Sequence, residues 1–88
     1  MKFTYDKATD DAYIKFSPKS VVDSIEIEED IVFDLDENDE VIGVEILSLK
    51  NKTPQQLRNI YRYSEYPIKN EDIQELKDIF SRFIPCGV

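Results

Sequence analysis

The chain has no histidine and no tryptophan, and only one cysteine and two glycines in 88 residues. Each shortage closes off a class of chemistry. Without histidine there is no Ser–His–Asp or Cys–His catalysis and no zinc site of the Cys/His type. Gly43 and Gly87 alone cannot build a glycine-rich phosphate loop or a dinucleotide fingerprint. A single cysteine, Cys86, cannot form an internal disulfide, which fits a reducing cytoplasm. With no histidine beside it, Cys86 reads as an inert thiol. No stretch is apolar for long enough to cross a membrane. The opening MKFTYDK lacks the apolar segment of a secretory signal, so a cytoplasmic protein is expected. Catalysis would be left to carboxylates, lysines, tyrosines and one thiol. Paired-carboxylate glycoside chemistry needs a deep cleft that so short a chain can hardly frame. We therefore expect neither enzyme activity nor a cofactor.

What is present suffices for one core. Hydrophobic residues make up 41% of the chain, including five Phe and five Tyr. A chain this short buries roughly 60–65% of the surface its unfolded form exposes, so its stability margin is thin. The net charge is −8, unevenly spread. Residues 1–49 carry 14 Asp/Glu against 4 Lys, a charge of −10, while residues 50–88 carry 5 against 7 Lys/Arg, a charge of +2. The acidic half repels phosphate backbones, which argues against nucleic acid there and for a basic protein partner.

Residues Lys2 to Tyr5, Ala12 to Phe16 and Val21 to Ile27 alternate in polarity and predict strands. Val21, Ile25 and Ile27 share one face of the third, with Asp23 interrupting it near the rim. In IEIEEDIVFDLDENDEVIGVEIL, a three-residue loop at Glu28–Asp30 sets Ile27 against Ile31 and Ile25 against Phe33. A two-residue turn at Asn38–Asp39, where Asn tolerates positive φ, sets Leu35 against Ile42, Phe33 against Val44 and Ile31 against Ile46. The expected result is an antiparallel meander of about five strands. After Leu49 the pattern becomes helical. Thr53-Pro54-Gln55-Gln56 is a helix start running to about Tyr63, with Leu57, Ile60 and Tyr61 inward. Asn70 is expected to cap a second helix, with Glu71 and Asp72 in its first turn. Its apolar stripe is Ile73, Leu76, Phe80 and Phe83, with Ile79 and Ile84 beside them and Pro85 as the stop. The prediction is an α+β domain over residues 1–88, an acidic meander over 1–49 and a helical extension over 50–88. Its two helices pack on the sheet or on a partner.

The stretch DLDENDEVIGVE matches the calcium loop of an EF-hand in part, with Asp34, Asp36 and Asn38 at the early ligand positions and Glu45 at the last. The turn-making glycine is missing, Asp39 stands in its place, and the flanks are strand-like. A solvated hairpin is therefore expected, with Asp34, Asp36 and Glu45 on its open face as a weak divalent-metal candidate.

YDKATDDAYIKF and VVDSIEIEEDIVFDLDENDEVIGVEIL, with their spacing, resemble the small bacterial and archaeal proteins of Domain of Unknown Function 2283. The resemblance rests on Y-D-x-x-x-D-x-x-Y-I-x-F, and on D-x-D followed by a tight turn and G-[IV]-E-I-L. It covers about residues 1–49. Asp39 departs from it, standing where the family often has a turn glycine, and so does the helical extension. The resemblance implies a small β-rich fold without catalysis. Through toxin-like neighbours in the genome it implies an antitoxin-like role.

Two binding surfaces are candidates. Glu26, Glu28, Asp34, Asp36, Glu37 and Glu40 form an acidic face suited to steering a basic partner. Lys50, Lys52, Arg58, Tyr61 and Arg62, with no acid between Ile46 and Ser64, form a basic-aromatic segment. That segment fits a nucleic acid or an anionic peptide, or packs against an acidic sheet, its own or a twin's. Tyr5, Asp6, Asp10 and Tyr13 read as turn chemistry at the first hairpin, or as a family binding site. The leading expectation is a non-enzymatic protein-binding module, antitoxin-like or an acidic decoy for a basic protein that acts on nucleic acid. The alternatives are a self-associating homodimer and a weak metal binder.

Overall fold

Period-two alternation in the first half becomes a five-stranded sheet. A computed structural model describes residues 1–83, and the expectations for Ile84, Pro85 and Cys86 lie outside them. The strands are β1 (Lys2–Asp6), β2 (Asp11–Lys15), β3 (Asp23–Glu28), β4 (Ile31–Leu35) and β5 (Val41–Ile46). All neighbours are antiparallel, as expected. The spatial order is β1-β2-β5-β4-β3, not the order of the chain. β3, β4 and β5 form a meander, and the β1–β2 hairpin joins it through β5. The last strand in sequence is therefore the central one.

One face of the sheet carries Ala12, Ile14, Ile31, Phe33, Leu35, Ile42, Val44 and Ile46, all buried. Two expected pairings hold across the β4–β5 hairpin, Ile31 with Ile46 and Phe33 with Val44. So does Ile25 with Phe33. Deviations occur at three strand ends. At the tip of β4–β5 the register shifts, and Leu35 faces Val41 rather than Ile42. Asp36 closes this turn, its N–H donating to the Glu40 carbonyl at 3.1 Å and its carbonyl accepting from Asp39 N–H at 3.1 Å. Asp39, not Asn38, takes the left-handed conformation, with φ 60°. In the β3–β4 turn, Glu28 rather than Ile27 faces Ile31, leaving Ile27 as the extra residue of a bulge. Asp30, with φ 63°, tightens that turn to two residues. At the start of β3, Val21 and Val22 are 41% and 62% exposed and precede the strand. Val22 N–H bonds the carbonyl of Leu35, which Asp23 already faces, so two residues meet one and the alternation ends.

The chain divides into two compact units, Met1–Leu49 and Lys50–Val88, at the point where its composition changes. A 3-10 turn over Leu49–Asn51 runs across that point of the chain, and the second unit holds α1 (Pro54–Tyr61) and α2 (Asn70–Phe83). α1 has the expected capping box. Gln56 N–H donates to Thr53 Oγ1 at 3.2 Å, and Thr53 N–H donates to Gln56 Oε1 at 2.8 Å. It stops two residues short of Tyr63, closed by a 3.2 Å bond from Arg62 N–H to the Asn59 carbonyl. α2 starts one residue earlier than expected. The Lys69 carbonyl accepts from both Asp72 and Ile73, each at 3.0 Å, so Lys69 is the cap and Asn70 the first helical residue. That puts Ile68 and Ile73 at the two positions of a hydrophobic staple, which fixes how the chain enters the helix. Leu57, Ile60, Leu76, Ile79 and Phe80 are buried. The rings of Tyr61 and Phe80 lie 6.3 Å apart, joining α1 to α2.

Candidate functional site

The opposite face of the sheet is polar, and it does not stand open as expected. Pairing aligns Tyr13 with Glu45, Asp34 with Gly43, and Ser24 with Asp34. Four neighbouring strands thus bring Tyr13, Ser24, Asp34 and Glu45 together around a glycine. A Cβ on Gly43 would lie 3.1 Å from the Tyr13 hydroxyl and 3.2 Å from the Ile14 carbonyl. The missing side chain is what lets the Tyr13 ring pack against β5 at Gly43. Asp34 is only 3% exposed, covered by its neighbours. Ser24 Oγ donates to Asp34 Oδ1 at 2.8 Å, and the Tyr13 hydroxyl lies near enough to the Asp34 carboxylate to feel its charge.

Glu45 lies against Asp34 as well, carboxyl beside carboxyl. Such a contact needs a proton between the two groups. Burial, reinforced by Asp34, pushes the Glu45 carboxyl up to about 7. Burial and the Asp34 charge push the Tyr13 phenol up to about 12. Beside the cluster lies an open hollow of about 620 Å³, lined in part by Thr4, Asp6, Lys7, Asp11, Tyr13 and Glu45.

Asp36 has a different environment. It is 2% exposed, and its Oδ1 accepts from Asn38 N–H at 2.8 Å and Glu40 N–H at 3.0 Å. These amides, with Lys19 at 3.4 Å, hold its carboxyl below the usual carboxylate range despite burial. The metal candidate is therefore split: Asp34 and Glu45 lie together on the polar face of the sheet, and Asp36 serves the turn. Among the described residues, no group of three or more acidic, cysteine or histidine side chains is arranged to hold a metal ion.

The acidic face divides similarly. Glu26, Glu37 and Glu40 are exposed, Glu28 is half-buried at the bulge, and Asp34 and Asp36 are buried. The last two do not present charge to an approaching partner, because strand neighbours and turn amides enclose them. Asp23, Glu29 and Asp39, not in the expected set, are exposed on the same half of the sheet. In the basic-aromatic segment Lys50 and Arg62 are exposed and Arg58 half-buried, but Lys52 is buried at the entry to α1. The Tyr61 hydroxyl is buried without a hydrogen-bond partner, and Lys77 Nζ sits 5.5 Å from the centre of its ring. These five residues do not form one open surface.

The first hairpin shows turn chemistry. Asp6 Oδ1 accepts from Ala8 N–H at 2.8 Å. Asp10, with φ 60°, accepts the Tyr5 hydroxyl at 2.5 Å. Tyr13 stands apart from the turn and covers Gly43. The sequence held one clue to this cluster, since an isolated glycine inside a strand marks a close approach.

Every residue of the cluster except Ser24 lies in the quoted tyrosine, D-x-D and G-[IV]-E-I-L motifs. No curated protein and no solved structure matches the chain. Residues 2–50, more than half of the chain, match the family described as "Protein of unknown function (DUF2283)", and the chain belongs to that family.

Proposed function

We propose that this chain is a non-enzymatic protein-binding module, which engages a basic partner through the β3–β4–β5 half of its sheet as an antitoxin or acidic decoy does. The observation that carries the reading is the segregation of exposed charge. Asp23, Glu26, Glu29, Glu37, Asp39 and Glu40 are exposed on that half. Among the described residues, Lys19 is the one exposed lysine accompanying them, while Lys2 and Lys7 lie at β1. A one-signed surface raises the encounter rate with an oppositely charged protein and fixes its orientation. A partner that acts on nucleic acid has a basic surface of that kind.

The test is affinity capture of the tagged chain from its host at low salt, compared with a wash at about 0.5 M salt, which screens surface charge. A stoichiometric basic partner released by the wash is expected. Replacing Glu26, Glu37 and Glu40 by Gln should slow association about tenfold at low salt. A complex that ignores both salt and these substitutions would remove the reading.

A further inference from the structure

β3 is an edge strand, and its free side has a particular chemistry. Leu47 N–H bonds the Asp30 carbonyl at 2.9 Å, so by alternation Val32 and Asp34 turn their backbone groups to β5, while Phe33 and Leu35 turn theirs to β3, where they meet Ile25 and Asp23. The amides of Ser24 and Glu26 therefore point away from the sheet. Ser24 N–H confirms the direction, since it is met by the Asp23 carboxylate, an exposed contact of 2.9 Å. DSIEIE has neither Pro nor Lys, and the bulge at Ile27 lies beyond the two outward amides, so Ser24 and Glu26 stay open to a basic strand. Ile25 is half-buried on the apolar face, Glu26 is exposed on the polar face, and Val22 is exposed just before the strand.

Resting on the acidic-module reading above, we propose that β3 is the docking edge, and that the partner adds to it an extended segment in which basic and apolar residues alternate. Opposite Glu26 such a segment places a Lys or Arg. Opposite Ile25 it places an apolar side chain that completes the edge of the core face. The backbone supplies the remaining bonds, and the Asp23 carboxylate, displaced from the Ser24 amide, is released to pair with a second cation. The other edge selects against the same ligand. β1 carries Lys2, paired across the ladder with Lys15, and Lys7 follows it. A second copy of β3 is also disfavoured, because antiparallel pairing about Ile25 or Glu26 sets acid near acid.

The probe is a capped peptide, Lys-Val-Lys-Val-Lys-Val-Lys, against a control of the same composition with its lysines and valines in blocks. The full ¹⁵N-labelled chain is titrated with each at low salt, and amide exchange is followed residue by residue. Binding of the alternating peptide about tenfold tighter is expected, with Ser24 and Glu26 exchange slowed about tenfold and Phe3 and Tyr5 unchanged. Ser24→Pro, which removes an outward amide and spares the ladder with β4, should abolish the preference. Equal binding of both peptides with no slowing at β3 would overturn the edge proposal and leave the acidic module standing. No binding of either at low salt would remove both. Should Ser24→Pro fail to fold, the exchange pattern of the unaltered chain still decides.

Discussion

Glu45 is the residue through which this protein should feel pH. Its carboxyl is held at about 7, against an ordinary 4.5, by burial and by Asp34. The folded chain therefore holds a proton that the unfolded chain gives up. The sign follows: this contribution to stability is complete below about pH 4.5 and is lost as pH rises through about 7. Asp36 acts in the opposite sense. Its lowered carboxyl stabilises the fold above its ordinary 3.8 and ceases to do so as pH falls below that value. Stability should therefore peak in mildly acid solution, and urea midpoints measured from pH 3 to 9 will show whether it does. Glu45→Gln should flatten the alkaline limb, because an amide N–H donates to Asp34 without a titrating proton. An alkaline limb unchanged in that variant would place the titration elsewhere. Beyond the lone strand glycine, Gly43, little of this was legible in the linear sequence. Asp34 and Glu45 read as solvated because each alternates outward. What encloses them is Tyr13, which reaches them through the β2–β5 pairing, a contact that no local pattern encodes.

The elements themselves were largely legible, and the errors have a common physical origin. Ile31, Phe33, Val44 and Ile46 fell into register because a one-residue slip would have put them all on the polar face. The capping box was legible because its two bonds depend on sequence spacing alone. The misjudged strand ends lie at bulges or turns, and at both hairpin turns a residue's φ decides the count. Asp30 and Asp39 both take positive φ, where a glycine would have announced the turn and an aspartate does not. Asp39 accordingly stores a small strain. Asp39→Gly should stabilise the chain by about 0.5 kcal/mol, the relief of the left-handed penalty less the added freedom of the unfolded chain. In a domain of this size that is about 2–4 °C in Tm by calorimetry. A fall in Tm would show that the Asp39 side chain contributes more to the turn than its backbone costs.

The whole molecule carries more negative charge than its folding requires. Residues 1–49 hold 14 acids within one small sheet, and like charges gathered on folding oppose it. Salt screens such repulsion over about 10 Å at 0.1 M. Added sodium chloride up to about 0.5 M should therefore raise the urea midpoint, while weakening any complex with a basic partner. A midpoint indifferent to salt would mean that the exposed acids are already compensated within the chain. The opposed responses make salt a means of separating what the acids do for binding from what they do to the fold.

The strand order has a further consequence, in time rather than in space. β5 emerges last, yet it is the seam between the β1–β2 hairpin and the β3–β4 pair. Until Val41–Ile46 is in place, the two parts have no shared neighbour, and Tyr13 has no Gly43 to lie over. The hairpins can form early from neighbouring residues, whereas the β2–β5 join must close a loop across most of the unit. A half-made chain therefore exposes the apolar faces of two unjoined pieces. The sheet exists as a single object only once its centre has been synthesised.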